Sequence, residues 1–218
     1  NQSIEMQPEY FDQLLEMDAS VAGFQEEEII AFRDLLYGAM LPSGADACIA
    51  IAHILGGSEA GYVKLMNQKA AELGLEDSHF TNVTGLHDPN NISTATDLAD
   101  LLTYALNDPL FYEIFTSKEY SSEPTNLKPE GVQMLHTLSR YYWEYPVLQE
   151  TMLGSKTGFT EEAGQCLASL AEIDGTYYIL ITAGAGAQEA GPGEDYIPLL
   201  QPLHVLDAST IYGQLKSE

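Results

Sequence analysis

The most constraining feature of this sequence is a pair of strand-like runs joined by Asp174-Gly175. The segments CLASLAEI and TYYILITAGAG are largely apolar, and the second is rich in β-branched and aromatic residues. An Asp-Gly pair between two such runs is a strong signal for a tight turn. The spacing predicts an antiparallel β-hairpin, so any fold for this chain must contain a sheet late in the sequence.

The first half of the chain has the three-to-four-residue apolar periodicity of helices. Residues 26–40, EEEIIAFRDLLYGAM, predict a helix that packs on a core and stops at Pro42. Residues 47–55 are nearly all apolar and predict a buried central helix ended by Gly56-Gly57. Capping residues mark three further helix starts, at Ser58, Thr94 and Asp108.

The order of these elements indicates a fold class. Helices come first and antiparallel strands follow, and residues 207–215 predict a closing helix behind a Gly- and Pro-rich loop at 188–202. This order favours an α+β architecture over alternating βαβ units. We expect one domain, residues 1–218, with a mainly helical subdomain at roughly 1–117 and a sheet subdomain at roughly 118–218.

Composition excludes several classes of partner and site. The chain carries 33 Asp and Glu against 8 Lys and Arg, a formal net charge of −25, which repels nucleic acid and anionic lipid. No apolar run long enough to span a membrane and no basic leader is present in these residues, so we expect neither a membrane span nor a signal peptide within them. Cys48 and Cys166 lack metal-ligand spacing, and the sequence leaves open whether they form a disulfide.

Two short motifs carry the candidate chemistry: SGA at residues 43–45, before a helix, and KTG at residues 156–158, at the start of a strand. Taken singly, the first is most often only a helix cap and the second only an exposed strand end. Together they suggest acyl transfer, because a buried Lys156 amine near the Ser43 hydroxyl can accept and donate protons. Thr157 can bind a substrate carboxylate, and the glycine of KTG leaves room for a peptide along the strand edge.

Long stretches around both motifs resemble serine-type D-Ala-D-Ala carboxypeptidases, the low-molecular-weight penicillin-binding proteins of peptidase family S11. The resemblance rests on DLLYGAMLPSGADACIAIAHILGGSEAGYVKLMNQKAAELGL, HFTNVTGLHDPNNISTATDLADLLTYAL and GSKTGFTEEAGQCLASLAEIDGTYYILI, which cover most of residues 30–183. It implies a penicillin-binding protein/β-lactamase-like fold, in which helices flank an antiparallel sheet and a mainly helical subdomain completes the molecule.

The resemblance also implies roles for individual residues. Ser43 and Lys156 would shuttle protons, and Thr157 would bind the terminal carboxylate of the substrate. The backbone N–H of Phe159 would form half of the oxyanion hole. The other residues of the substrate groove would be Gly158 and Ala45. The implied ligands are peptidoglycan stem peptides or β-lactams, with no metal or cofactor, and the implied location is extracytoplasmic, in the cell envelope.

The sequence departs from the family pattern in three places. None of its serines is followed three residues later by a lysine, so the Ser-x-x-Lys motif that carries the nucleophile is absent from these 218 residues. Ala45 stands where the family usually has Asn, and loss of such a hydrogen-bonding group typically costs about 10²-fold in rate. The only arginines are Arg33 and Arg140, and neither lies in the strand after the hairpin turn, where relatives often carry a carboxylate-binding arginine.

The absent nucleophile motif leaves three interpretations open. In the first, the chain is a fragment, and the segment with the Ser-x-x-Lys motif and the first sheet strands is supplied separately or lost. Alternatively, it is a natural non-catalytic relative that binds cell-wall peptides, or an acidic interaction protein that kept the fold. A threonine variant of the motif is spelled by Thr125 and Lys128, but Pro124 and Pro129 make a helix there unfavourable.

Overall fold

The computed structural model describes residues 2–12, 14, 16–186 and 201–216. Its helices are α1 (Phe32–Met40), α2 (Ala45–Gly56), α3 (Glu59–Leu73), α4 (Ala95–Ala105), α5 (Pro109–Thr116), α6 (Pro146–Thr151) and α7 (Leu203–Leu215). Its strands are β1 (Ser3–Glu5), β2 (Ile29–Ala31), β3 (Glu119–Ser121), β4 (Gln133–Leu135), β5 (Met152–Thr160), β6 (Gly164–Ile173) and β7 (Thr176–Ala185).

The three longest strands form one antiparallel sheet in the order β5-β6-β7. Asp174 and Gly175 both have positive φ, 50° and 76°, as the two central residues of a type I′ hairpin turn require. Ile173 and Thr176 pair directly across this turn. The predicted hairpin is therefore confirmed.

Helices cover both faces of this sheet. Leu167 and Ala171 of β6 pack in one apolar cluster with residues of α6 and α7. Leu170 points the other way and packs with Leu102 of α4 and Phe115 of α5. This is the alternation of side chains expected along a strand, and it buries β6 on both sides. An antiparallel sheet flanked by helices confirms the predicted α+β class.

A second apolar core lies among α1, α2 and the short β1–β2 pair. The buried face of α2 includes Ala47 and Ala50, both fully buried, as its nearly all-apolar sequence predicts. The helix starts two residues before the predicted range of 47–55, at Ala45, and Gly57 ends it in a left-handed conformation. The central helix is thus confirmed, and its first turn reaches the SGA motif.

The helix predicted over residues 26–40 is wrong in its first part. Ile29–Ala31 form strand β2, and α1 begins only at Phe32. Ile30 pairs with Ile4 of β1, and this long-range pairing overrides the local helical periodicity. The part of the chain predicted as mainly helical therefore also contains a two-stranded sheet, and the division into subdomains stays a prediction.

The predicted helix starts at α3, α4 and α5 are confirmed by their caps. The side chains of Ser58, Thr94 and Asp108 each accept a backbone N–H hydrogen bond from the first turn. The closing helix α7 begins at Leu203, one turn before the predicted residue 207. The loop predicted at 188–202 lies almost wholly outside the described residues. None of the helices in the described ranges has the length and apolar character that a membrane crossing requires.

Candidate functional site

The two motifs singled out in the sequence meet in the structure. Lys156 Nζ donates a hydrogen bond to Ser43 Oγ at 2.8 Å, although the two residues are 113 positions apart in the chain. The same amine donates to the Thr157 carbonyl oxygen at 2.7 Å. The N-terminal end of α2 and the strand β5 therefore form two facing walls of one groove.

The wall at α2 holds Ser43 in a left-handed backbone conformation, with φ 62°. That conformation is unfavourable for serine and persists only where the surroundings fix it. The N–H of Ala45 donates to the Ser20 carbonyl at 2.8 Å. The buried carboxylate of Asp46 accepts the N–H of Ala22, also at 2.8 Å. The first turn of α2 is thereby anchored on the loop that precedes β2.

Gly44 lies at the tightest point of this wall. A Cβ at this position would lie 2.6 Å from the Ala22 nitrogen and 2.7 Å from the Ala22 Cβ, which is closer than nonbonded atoms approach. We expect Gly44→Ala to lower the free energy of unfolding by about 1–3 kcal/mol, as for other overpacked sites. Urea denaturation measures this change.

A matched control for Gly44→Ala is Gly213→Ala in α7. The added Cβ there would lie 3.9 Å from Val147 Cγ2, an ordinary contact. Alanine has a higher helix propensity than glycine, so this variant should be neutral or gain up to about 1 kcal/mol. An equal loss of stability in both variants would contradict the steric argument.

Burial sets the protonation behaviour of Lys156. It lowers the pKa of the amine from the ordinary 10.5 to about 8. The hydrogen-bond partners of the amine are two neutral oxygens. An amine with a pKa near neutrality can both accept and donate a proton. Lys156 and the Ser43 hydroxyl can therefore relay protons across the groove.

β5 lines the groove as an outer strand of the sheet. It pairs with β6 through Lys156 opposite Ala168 and Gly158 opposite Cys166. Within the described residues no strand pairs with its other edge. Gly158 is exposed, and the Phe159 side chain is 52% exposed. An extended peptide can pair with a strand edge of this kind through backbone hydrogen bonds.

The groove has a volume of about 760 Å³, within the range of ordinary small-ligand pockets. Both motifs line it, and Ala45 contributes a buried methyl group where the family usually has an amide. Sequence reasoning did not place Cys48, Thr137 or Arg140 in the groove, since no local pattern marks them. In the part of the chain that the structure describes, no group of three or more His, Cys, Asp or Glu could hold a metal ion.

Both cysteines are free thiols, which answers the question that the sequence left open. Cys48 lines the groove, and burial raises the pKa of its thiol to about 11. A thiol that stays protonated at neutral pH is a poor nucleophile. Cys48 is therefore a weak replacement for an attacking serine.

Thr125 and Lys128 are not among the residues that line the groove; they clamp a buried glutamate. Thr125 Oγ1 donates to Glu28 Oε1 at 2.6 Å, and Lys128 Nζ donates to Glu28 Oε2 at 2.6 Å. The Glu28 side chain is fully buried. These two residues therefore have a structural role, and the threonine variant of the nucleophile motif is rejected.

Comparison with known proteins identifies relatives of this chain by sequence. A family profile for D-alanyl-D-alanine carboxypeptidases matches residues 5–187. The chain is 34% identical over 174 residues to the D-alanyl-D-alanine carboxypeptidase DacF of Bacillus subtilis, covering 78% of this chain and 42% of that protein. It is 30% identical over 184 residues to DacD of Escherichia coli, covering 84% of this chain and 44% of that protein.

Solved structures agree with the sequence relatives. The crystal structure of the Streptomyces K15 DD-transpeptidase superposes with a TM-score of 0.78 at 26% identity, covering 99% of this chain and 79% of that one. The chain spans about half the length of the curated relatives it matches. The profile match over most of the chain and the shared DD-peptidase fold show that this protein belongs to the D-alanyl-D-alanine carboxypeptidase family, peptidase family S11.

Proposed function

We propose that the groove between α2 and β5 binds the D-Ala-D-Ala ends of peptidoglycan stem peptides, and β-lactams that mimic them. The observation that carries this proposal is the 2.8 Å hydrogen bond from Lys156 to Ser43, which joins the two family motifs at an open strand edge. In this proposal the protein acts outside the cytoplasmic membrane, where its polymeric substrate lies.

Each residue of the two motifs has a role in this proposal. Lys156 and Ser43 relay protons to and from the reacting groups. Thr157 binds the terminal carboxylate through its hydroxyl, and the backbone N–H of Phe159 stabilises the oxyanion. The edge of β5 at Gly158 holds the peptide backbone in an extended conformation.

Hydrolysis in this family requires a serine that attacks the D-Ala-D-Ala carbonyl, releases D-Ala and is freed from the acyl group by water. That serine lies on a Ser-x-x-Lys helix, a motif absent from these 218 residues. We propose that such a helix is supplied by a further segment of the same protein, and that some of its side chains enter an apolar cavity of about 380 Å³ between α1 and α5, which Lys156 also lines. Carboxypeptidase activity then belongs to the assembled protein.

A second candidate function is peptide binding without catalysis. The buried methyl group of Ala45 favours it, because an alanine cannot donate the hydrogen bond of the usual asparagine to the substrate. Under this alternative the groove still recognises D-Ala-D-Ala ends, but no segment completes it.

Intact mass spectrometry after incubation with a labelled penicillin, combined with calorimetry, tests whether this chain alone contains a nucleophile and whether its groove binds the peptide, as both candidate functions require. A covalent adduct on the chain alone would show that it contains an unrecognised nucleophile. Absence of an adduct, combined with calorimetric binding of an N-acetylated peptide that ends in D-Ala-D-Ala, is the result we expect. If the peptide does not bind either, the groove is not in use and an acidic interaction protein on this fold becomes the better interpretation.

Thr157→Val tests the carboxylate-binding role. The variant keeps the shape of the side chain but loses a hydrogen bond to a charged group, which is typically worth about 1.5–3 kcal/mol. We expect affinity for the free-acid peptide to fall by about 10–100-fold, while affinity for the C-terminal amide of the same peptide changes little. Calorimetry with both peptides measures this; an equal loss for both would assign Thr157 to general groove shape.

A further inference from the structure

A buried histidine lies directly behind the carboxylate-binding part of the groove. His136 follows β4 in the chain and is 4% exposed. Its Nε2 lies 2.7 Å from the Ser155 carbonyl oxygen, and its Nδ1 accepts the backbone N–H of Leu138 at 3.0 Å. Since Nδ1 accepts, the ring proton is on Nε2 and is donated to Ser155. The contacts therefore select one neutral tautomer.

The hydrogen bonds of this histidine hold the segment that follows β4 against β5, the strand that carries the KTG motif. Ser155 immediately precedes Lys156, and Thr137 immediately follows His136. Thr137 Oγ1 lies 2.8 Å from Thr157 Oγ1, the hydroxyl to which we assign carboxylate binding. Two side-chain hydrogen bonds, one from His136 and one at Thr137, thus fasten this segment to β5 beyond the end of β4.

The surroundings of the ring disfavour its protonation. The titratable groups near the ring are Lys156 of β5 and the Tyr142 phenol close to Ser155. Lys118 contacts His136 only through its backbone carbonyl, which accepts the backbone N–H of His136 at 2.9 Å, and its amine lies 4.8 Å from the Tyr142 ring. None of these groups is a carboxylate that would stabilise an imidazolium. Burial, and to a smaller extent the Lys156 cation, lower the pKa of His136, while its hydrogen bond to the Ser155 carbonyl acts in the opposite direction without cancelling the effect of burial. An imidazolium would also place a second donor against the Leu138 N–H.

We propose that neutral His136 is a positioning residue that holds Thr137, and through it the Thr157 hydroxyl, in the orientation that binds a ligand carboxylate, and that its protonation in acid releases this orientation. The inference rests on the proposed function, since it concerns the same groove. His136 itself does not line the groove. Its effect is therefore transmitted through Thr137 and β5 rather than through contact with ligand.

The pH dependence of binding tests this inference with three variants and two peptides. The probes are an N-acetylated peptide ending in D-Ala-D-Ala, whose carboxylate stays ionised above about pH 5, and its C-terminal amide. For the wild-type protein we expect affinity for the acid peptide to fall, by up to about tenfold, as the pH is lowered from 7.5 and His136 becomes protonated. Affinity for the amide should stay constant within about twofold.

His136→Gln can still donate to the Ser155 carbonyl but does not titrate. It should bind the acid peptide within about threefold of wild type at pH 7.5 and should not lose affinity in acid. His136→Leu removes both hydrogen bonds and should bind the acid peptide about tenfold more weakly at every pH. The matched control is His53→Gln at the end of α2, beside Glu9 and outside the groove, which should keep the wild-type pH profile.

Several results would overturn the inference. Equal losses for both peptides in His136→Leu would indicate a general structural role. A gain in affinity as the pH falls would mean that the charge of the imidazolium, rather than the position of Thr157, acts on the ligand.

A ligand-free measurement separates failure of the inference from failure of the proposed function. In a nitrogen-15 NMR titration, the His136 ring should show the Nε2–H tautomer at pH 7.5. The amide signals of Thr137 and Thr157 should shift with the same midpoint as the ring. Amides that do not follow the ring would refute the positioning role whether or not the peptide binds. If they do follow it and no peptide binds, only the proposed function fails.

Discussion

Lys156→Met is expected to weaken binding of D-Ala-D-Ala peptides severely and to stabilise the fold at pH 7. We expect affinity to fall by at least about 100-fold, because the cation and its hydrogen bond to Ser43 are lost together. In the folded protein the pKa of Lys156 has fallen from 10.5 to about 8, and each pKa unit corresponds to about 1.4 kcal/mol. After allowance for partial exposure and two lost hydrogen bonds, the free energy of unfolding should rise by about 1–2 kcal/mol.

The pH dependence of this gain has a fixed sign. Between about pH 8 and 10.5 the unfolded chain binds more protons at this lysine than the folded one does, so wild-type stability rises with pH in that window. The advantage of Lys156→Met is therefore largest below pH 8 and shrinks towards pH 10.5. Urea denaturation of both proteins at pH 7 and pH 9.5 measures it.

The control for Lys156→Met is Lys64→Met, at an exposed position on α3. That variant should show no pH-dependent difference from wild type. If Lys156→Met shifts stability by the same amount at both pH values, the amine is not destabilised by burial, and its proposed role in proton relay loses support. The expected combination of greater stability with lost binding is typical of a residue kept for function.

Lys128→Met is expected to destabilise the protein by about 3–5 kcal/mol, because it leaves the fully buried Glu28 carboxylate without its cation. Thr125 and the Gln25 N–H still donate to this carboxylate, but they supply no charge. Since Glu28 adjoins β2, we expect the β1–β2 pair and the loop around Thr125 to lose order first. Urea denaturation gives the magnitude, and hydrogen exchange at the β2 amides gives the location.

A double-mutant cycle isolates the contribution of this ion pair. Glu28→Gln combined with Lys128→Met should recover at least about 1–2 kcal/mol of the loss, since no buried charge remains.

The exposed pair of Lys216 with Glu150 provides the comparison: Lys216→Met should cost less than about 1 kcal/mol. Similar costs for Lys128→Met and Lys216→Met would mean that the Glu28 site is solvated.

The elements that sequence reasoning predicted correctly depend on neighbours in the chain. The hairpin follows from the turn geometry of Asp174-Gly175, and the start of α3 follows from the cap at Ser58. The predicted start of α1 was wrong, because Ile30 pairs with Ile4 of β1, a residue 26 positions earlier in the chain. Long-range pairing of this kind leaves no local periodicity to read.

The candidate site likewise contains some residues that the sequence revealed and others that only the structure placed there. The SGA and KTG motifs were visible because their residue types and order match those of a known family. Arg140 was noted only for its absence from the strand after the hairpin, yet it lines the groove from another segment. Thr137 and His136 carried no signal, since a threonine and a histidine after a short strand are ordinary residues until β5 lies beside them.

By itself, the sequence determined the α+β class, the hairpin, the helix caps, the family and the two motifs, because turn chemistry, capping and motif order are local properties of the chain. Only the tertiary structure decided that Lys156 reaches Ser43 and that the pKa of Lys156 falls to about 8. It also showed that Thr125 and Lys128 bind the buried Glu28 carboxylate and do not belong to a catalytic site. The physical reason is that distance, burial and charge pairing depend on groups brought together from positions up to 113 residues apart.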